Sequence, residues 1–305
     1  MSIYAGRLGS GSGLDHVGVV VRDLSQARQD FAGLGFNVSP GGSFPGGVNN
    51  CGAYFSDGTY IELASVTEPH PGSALAAEIR AFGDQHEGAM FAGFDVSSAK
   101  DTYAFLKGRH FDVTHPHPSQ WSKEGETKPP PPRWFIVSFA EKPAAGTVPF
   151  VLPIFFIQYL HDEPRDQKVH DAAIRHPNTA LGVHAVWFAV NDPQASLRLL
   201  SDAGFTASGG TVKLFDVKGP EINAGNGVLS LLSGKDKRGE PARYLANHDE
   251  GIVAVSVQVS DLQVAKVKVE SALHMELKTY NGAFGKSFLL PASHAHGLWI
   301  EMFER

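Results

Sequence analysis

Apolar and polar positions alternate along this chain in a pattern that recurs. Residues 14–21 form a valine-rich run that reads as a strand. Arg22-Asp23-Leu24 then opens a helix with Asp23 as its N-cap, and Ala27, Phe31 and Leu34 follow at helical spacing. Gly35 ends that helix, and Phe36-Asn37-Val38 starts a second strand. A glycine-rich loop over residues 41–47 leads to two more strands, 50–55 and 59–65, joined by a turn at Asp57-Gly58. The order is βαβββ.

The same order returns. Residues 90–96 read as a strand, Ser97-Ser98 as a cap and 99–109 as a helix, with Tyr103 and Leu106 at helical spacing. A proline-rich insertion follows at 110–132, and its Pro129–Pro132 run predicts an extended surface segment. Strands resume at 133–139 and 154–160. Residues 161–180 are charged and lack a strong apolar period, which predicts a linker. A third unit starts at Leu181 with the cap Asn191-Asp192-Pro193, and a fourth runs from Gly251 through the cap Ser260-Asp261-Leu262. Gly58-Thr59-Tyr60-Ile61-Glu62-Leu63 and Gly297-Leu298-Trp299-Ile300-Glu301-Met302 close units one and four in the same register. Repetition of this kind means that one unit cannot bury its own sheet and packs with a sister. The expected fold is α+β: four βαβββ units in paired, cupped mixed sheets with helices on the outer face. The expected modules are residues 14–160 and 181–305, with 161–180 between them.

Glu62 stands out against this background. Ile61 and Leu63 take one face of its strand, and Tyr60, Glu62 and Ala64 take the other. Burying a carboxylate there is costly unless it is paired. A metal ion is one such partner, with His16 on an earlier strand as co-ligand.

Composition narrows the function. The net charge of −6 and the pI near 6.1 argue against nucleic acid as a partner. No apolar run is long enough to span a bilayer, because the longest, 148–157, is broken by prolines. Residues 1–13 lack the basic start and apolar core of a signal peptide, and the glycine-serine run at 9–13 reads as a flexible lead-in. The single Cys51 cannot form an internal disulfide, which fits a reducing, cytoplasmic setting, and with no basic neighbour in sequence it reads as an inert buried thiol. The expected partner is a small molecule, and a homodimer is one assembly this allows.

Several stretches carry a resemblance: Leu14-Asp15-His16, the glycine-rich residues 41–50, Tyr60-Ile61-Glu62-Leu63, Phe155-Phe156-Ile157-Gln158-Tyr159 and His176-Pro177-Asn178. With the fourfold βαβββ repeat, they resemble the vicinal oxygen chelate superfamily, the glyoxalase/bleomycin-resistance/extradiol dioxygenase fold. Units one and two are similar to its glyoxalase-like domain. One departure is Phe44, where that domain's loop tends to carry a histidine before Pro-Gly.

The resemblance implies a metal ligand on the first and last strands of a unit, facing the cup. Counting strand parity from each strand–helix junction puts His16, Gly18 and Val20 on the cup side of unit one. Phe91, Gly93 and Asp95 take those places in unit two, and Ala254, Ser256 and Gln258 in unit four. His184 falls on the helix side of unit three unless a bulge resets it. Gln158 and Glu301 are counted as the equivalents of Glu62. The implied metal set is His16, Glu62 and Gln158 if units one and two pair, or His16, Glu62 and Glu301 if one and four do; chain order favours the first. Such N/O donors suit a divalent Zn, Mn, Fe, Ni or Co ion. Glu62 and Glu301 are the candidate catalytic carboxylates, and Tyr60, Phe91, Trp134 and Trp299 the candidate substrate-binding aromatics. The implied activity is that of a metal-dependent lyase or isomerase on a small oxygen-rich or aromatic molecule. The alternatives are metal-free sequestration of such a molecule and, third, an extradiol-type dioxygenase, which needs two histidines and a carboxylate. His115, His117, His294 and His296 fall in predicted loops.

Overall fold

The computed structural model describes residues 13–67, 73–124, 131–160, 171–235 and 239–305. The lead-in at 9–12, Pro129 and Pro130, and residues 161–170 of the expected linker lie outside the described residues.

The first unit consists of β1 (Gly13–Val20), α1 (Leu24–Gly33), β2 (Ser39–Phe44), β3 (Val48–Tyr54) and β4 (Tyr60–Val66). A helix that the apolar pattern left unassigned follows, α2 (Ala74–Gln85). The second unit carries β5 (Gly88–Asp95), α3 (Ala99–Gly108), β6 (His117–Ser119), β7 (Ser122–Lys123), β8 (Trp134–Ser138) and β9 (Ile154–Tyr159). The third has β10 (Ala180–Val190), α4 (Pro193–Asp202), β11 (Thr206–Leu214), β12 (Val217–Asn223) and β13 (Val228–Ser233), followed by α5 (Gly239–Leu245). The fourth has β14 (Gly251–Val259), α6 (Leu262–Leu273), β15 (Thr279–Asn281), β16 (Lys286–Leu290) and β17 (Trp299–Glu304).

Each junction from first strand to helix is made in the same way. Asp23, Ser98, Asp192 and Asp261 are extended, and the side chain of each accepts a hydrogen bond from a backbone N–H in the first turn of the helix. That satisfies donors the helix itself leaves open.

Units one and two build one mixed sheet, ordered β6-β8-β9-β5-β1-β4-β3-β2-β7. Units three and four build the other, ordered β11-β12-β13-β10-β14-β17-β16-β15. In each sheet the first strands of the two units meet antiparallel at the centre, β1 with β5 and β10 with β14. Each first strand also runs parallel to its own closing strand, as β1 does to β4 and β14 to β17.

One hydrophobic core joins the sheets on the faces away from the cups. Val17, Val19 and Phe31 of the first module share it with Val186, Phe188 and Val269 of the second, and Phe94 meets Phe205 edge-on at 5.1 Å. Alternation leaves the cups on the other faces. Helix α2 covers part of the first cup, setting Ala76 and Ile79 against Val20, Val48 and Ala64. Tyr244 and Leu245 of α5 take a matching place over the second, beside Trp187. Among the described residues no helix is long and apolar enough to cross a membrane.

Two sequence expectations change here. The stretch 41–47 is not simply a loop: Gly41 and Gly42 lie in β2, where a Cβ would come within 1.7 Å of Asn50 O and 2.2 Å of Ser122 O. The parity rule also fails at one point in β10, where the register shifts between Val183 and Ala185. His184 is the extra residue of that bulge and turns to the cup side, edge-on to Phe284 at 4.7 Å.

Candidate functional site

The first cup is built around His16. β1 carries a bulge between Leu14 and His16, with Asp15 as its extra residue. Neighbours on a regular strand point to opposite faces; the bulge instead brings the Asp15 carboxylate to within 2.5 Å of His16 Nδ1. Tyr159 O–H also donates to that carboxylate, at 3.0 Å. The imidazole stacks on Tyr60 at 4.4 Å and meets the Phe91 and Phe155 rings edge-on at 5.9 and 5.4 Å. Glycines make this room: a Cβ on Gly93 would lie 2.6 Å from the His16 ring, and one on Gly18 would lie 2.1 Å from Phe91.

Glu62 stands beside His16, on β4, the strand paired with β1. Its Oε2 is 3.5 Å from His16 Nε2, and its Oε1 accepts from Asn50 Nδ2 at 2.6 Å. Asn50 Oδ1 in turn accepts from Trp121 Nε1 at 2.7 Å. The gap between Nε2 and Oε2 is longer than a strong hydrogen bond, so both atoms can meet a third atom placed between them. His16 is 3% and Glu62 6% exposed, yet both line a cavity of about 2150 Å³ whose walls include Tyr54, Tyr60, Phe91, Trp121, Trp134 and Phe155. Burial pushes the Glu62 carboxyl above its ordinary value, and the nearby imidazole and the Asn50 hydrogen bond pull it part of the way back. Burial alone would lower His16, but the hydrogen bond and charge of Asp15 and the charge of Glu62 outweigh it and leave the imidazole raised.

The structure brings His16, Glu62, Tyr60, Phe91 and Trp134 to one cup. It does not bring Gln158 there. Phe155 faces His16, so Phe156 and Gln158 face the opposite side by alternation, and Gln158 Oε1 accepts from Ala99 N at 2.9 Å at the start of α3. The partner register explains the correction: Gly18 pairs with Glu62, and its counterpart Gly93 pairs with Phe155. Phe155, not Gln158, occupies the place of Glu62 in unit two.

Glu301 and Trp299 belong to the other cup, which is filled. Glu301 is fully buried and accepts from Ser256 Oγ at 2.5 Å and Tyr280 O–H at 2.7 Å. Ser256 is held in turn by Trp187 Nε1 at 2.8 Å. Trp299 packs edge-on to Phe215 at 5.4 Å, in a cluster with Trp187, Phe284 and Leu289. His184 lies beside the Arg305 guanidinium, and burial followed by that charge pushes it down to about 4. His296 bridges Asp30 and Glu87, away from Glu301. Cys51 is buried, and burial pushes its thiol up to about 11, as an inert thiol requires.

The donor set can be tested against a metal ion. His16 Nε2 and Glu62 Oε2 are spaced for a shared ion with bonds near 2.1 Å. Their other polar atoms are engaged by Asp15 and Asn50, and phenyl rings hold the two remaining cup positions, Phe91 and Phe155. Among the described residues no group of three His, Cys, Asp or Glu side chains is arranged to hold a metal. Two protein donors fall short of a resident site of the expected kind. The dioxygenase set of two histidines and a carboxylate is also not assembled in either cup among the described residues.

A glyoxalase-like domain family profile matches residues 14–204. The chain belongs to this family. The match takes in the first cup and continues through α4 of the glyoxalase-like protein. Two solved structures share the whole fold at low identity. One is a hypothetical protein from Staphylococcus aureus, with 12% identity and a TM-score of 0.64 over 96% of this chain and 99% of that one. The other is a triple mutant of 4-hydroxymandelate synthase from Streptomyces coelicolor, with 13% identity and a TM-score of 0.62 over 97% and 93%. A xylose isomerase-like TIM barrel/4-hydroxyphenylpyruvate dioxygenase fusion protein matches over 98% of this chain and 50% of its own, with 12% identity and a TM-score of 0.57. At these identities the likeness is one of fold. No curated protein sequence matches the chain.

Asp15, Asn50, Tyr54 and Tyr159 join the cup without standing out in the sequence as site residues, whereas Trp121 and Trp134, on either side of the proline run, are candidates from the sequence to line a pocket. Asp15 needs the bulge, and Trp121 reaches the cup only through long-range pairing of the insertion. Tyr54 had a signal: it stands opposite Tyr60 across the β3–β4 hairpin, and the rings stack at 4.8 Å.

Proposed function

We propose that the first cup takes up a small, flat, oxygen-bearing molecule and moves a proton on it between Glu62 and His16, an isomerase- or lyase-type step. The observation that carries this reading is the open approach between Glu62 Oε2 and His16 Nε2, 3.5 Å apart at the floor of an aromatic cavity. A carboxylate there can take a proton from carbon beside a carbonyl. A protonated imidazole, held in place by Asp15, can face the carbonyl oxygen as it gains charge. Tyr60, Phe91 and Trp134 supply the apolar walls. No step is routed through a metal, because the donor set does not complete one. In this reading residues 14–160 form the functional module and residues 181–305 a second module joined through 161–180, in a cytoplasmic protein.

The second reading is sequestration without turnover, favoured by the Tyr54–Tyr60–His16 stack, which presents a ready aromatic face. One experiment separates the two. Chelator-treated protein is screened against aromatic and enolisable carbonyl compounds by thermal shift. Each binder is then followed by NMR for uptake of deuterium from solvent. Uptake by wild type that is lost in Glu62→Gln supports proton transfer. Binding without uptake supports sequestration. Uptake that appears only with added divalent metal, at one ion per chain, overturns the metal-free step.

A further inference from the structure

The two outer strands of the first sheet, β6 at one edge and β7 at the other, are separated in the chain by only Gln120 and Trp121. β6 pairs with β8 and β7 with β2, so this short strap crosses the mouth of the cup and joins its lips. Trp121 hangs from the strap. Gly42 admits it, since a Cβ there would come within 2.5 Å of the indole ring, and the Arg133 guanidinium lies over the ring at 5.0 Å.

An indole N–H donates and cannot accept. Its bond to Asn50 therefore fixes which end of the carboxamide is which: Oδ1 toward Trp121 and the NH2 group toward Glu62 Oε1. Without the indole, the carboxamide could turn over and point an oxygen at the carboxylate.

Building on the reading of Glu62 as the reacting carboxylate, we propose that Trp121 is a positioning residue. Acting through Asn50, it holds Oε1 of Glu62 occupied and leaves Oε2 turned toward His16 and the cavity. The strap then does more than close the mouth. It sets the orientation of the group at the floor.

Side-chain NMR of the full chain tests this without a substrate. In wild type the Asn50 NH2 protons should exchange slowly, and the Trp121 indole signal, assigned by its loss in Trp121→Phe, should be shifted downfield. Trp121→Phe keeps an aromatic ring and removes the donor, and should speed exchange of the Asn50 NH2 protons at least about 10-fold. Glu62→Ala should move the Trp121 indole signal through Asn50, which bonds to both side chains. Unchanged Asn50 exchange in a Trp121→Phe protein whose β2–β7 amides stay protected overturns the proposal. Should that variant lose the strap, the Glu62→Ala arm decides on its own: an unmoved indole signal overturns it, and a moved one supports it. Intact coupling in a protein whose cup takes up no aromatic probe would retire the ligand reading and leave the positioning in place.

Discussion

Glu301→Gln separates a structural carboxylate from a functional one. Glu301 has two acceptor oxygens; the hydroxyls of Ser256 and Tyr280 donate to them, and the Ser287 hydroxyl lies beside them as well. The Ser256 hydroxyl already accepts from Trp187, so its own proton is committed to Glu301. A carboxamide offers one oxygen and presents NH2 to the other donor, which leaves one buried hydroxyl proton without an acceptor. That costs about 1–3 kcal/mol, or roughly 2–5 °C in Tm for a chain of this size. Glu62→Gln is predicted to behave differently. Its oxygen can still accept from Asn50, and its NH2 group can face His16 Nε2 in the neutral tautomer, with Nδ1–H on Asp15. Every partner stays satisfied, so stability should change by less than about 1 kcal/mol while the proton acceptor is lost.

Thermal melts, binding of an aromatic ligand and deuterium uptake from solvent, measured on both variants, check this. Glu301→Gln should melt earlier and bind normally, and Glu62→Gln should melt normally and fail in proton transfer. The pH dependence adds a sign. Burial raises the folded-state value of Glu301 above its ordinary 4.5. Between 4.5 and that folded value the native chain holds a proton that the unfolded chain has released, so this group's contribution makes stability fall as pH rises through the window. Glu301→Gln abolishes that slope, and its deficit should narrow as pH rises. A Glu301→Gln protein that is as stable as wild type but no longer binds ligand would refute the assignment of the two cups.

Three further outcomes follow from the geometry. Gly93→Ala drives a methyl into the His16 ring and should cost about 1–3 kcal/mol in denaturant unfolding and weaken ligand binding at least about 10-fold; unchanged binding would remove His16 from the site. Gln158→Ala should lower stability by about 0.5–2 kcal/mol through the loss of an acceptor at the start of α3, while ligand binding and metal content by elemental analysis stay unchanged. Phe91→His adds a third donor beside His16 and Glu62 and should raise Zn²⁺ affinity at least about 10-fold by calorimetry; equal affinity in the two proteins would show that position 91 does not face the site.

Much of the fold was legible because its signals are local. Asp23, Asp192 and Asp261 cap helices within a few residues of the strands they follow, and parity correctly carried His16 and Glu62 to one face. The misplacements each have a physical cause. A strand has period two, so an odd miscount moves a residue to the other face; counting Gln158 where the register puts Phe155 did that. Bulges break the count outright, which hid Asp15 and misplaced His184. Helix α2 was missed although Ser73 caps it and Ala76, Ile79 and Gly83 recur at helical spacing. The Trp121–Asn50 bond depends on the insertion crossing the sheet, and no local pattern encodes that.

The two cups also show why the same scaffold leaves one open and one filled. Counting back seven residues from each N-cap gives His16, Phe91, Ala185 and Ala254, and two residues further along each strand are Gly18, Gly93, Trp187 and Ser256. In the first cup large rings stand over glycines. In the second, alanines stand over a tryptophan and a serine. The glycines are spacers, since a Cβ on either would displace Phe91 or His16. Trp187 and Ser256 instead bring bulk and hydrogen bonds down to the closing strand, where Ser256 satisfies Glu301 and burial is complete. Glu62 has no such hydroxyl opposite it, because Gly18 is its strand partner. Its second oxygen is therefore left facing His16 across an open floor. The reactivity assigned to Glu62 thus depends on what its neighbours lack as much as on the carboxylate itself. Gly18→Ser, which would rebuild the second cup's arrangement in the first, cannot be made without displacing Phe91.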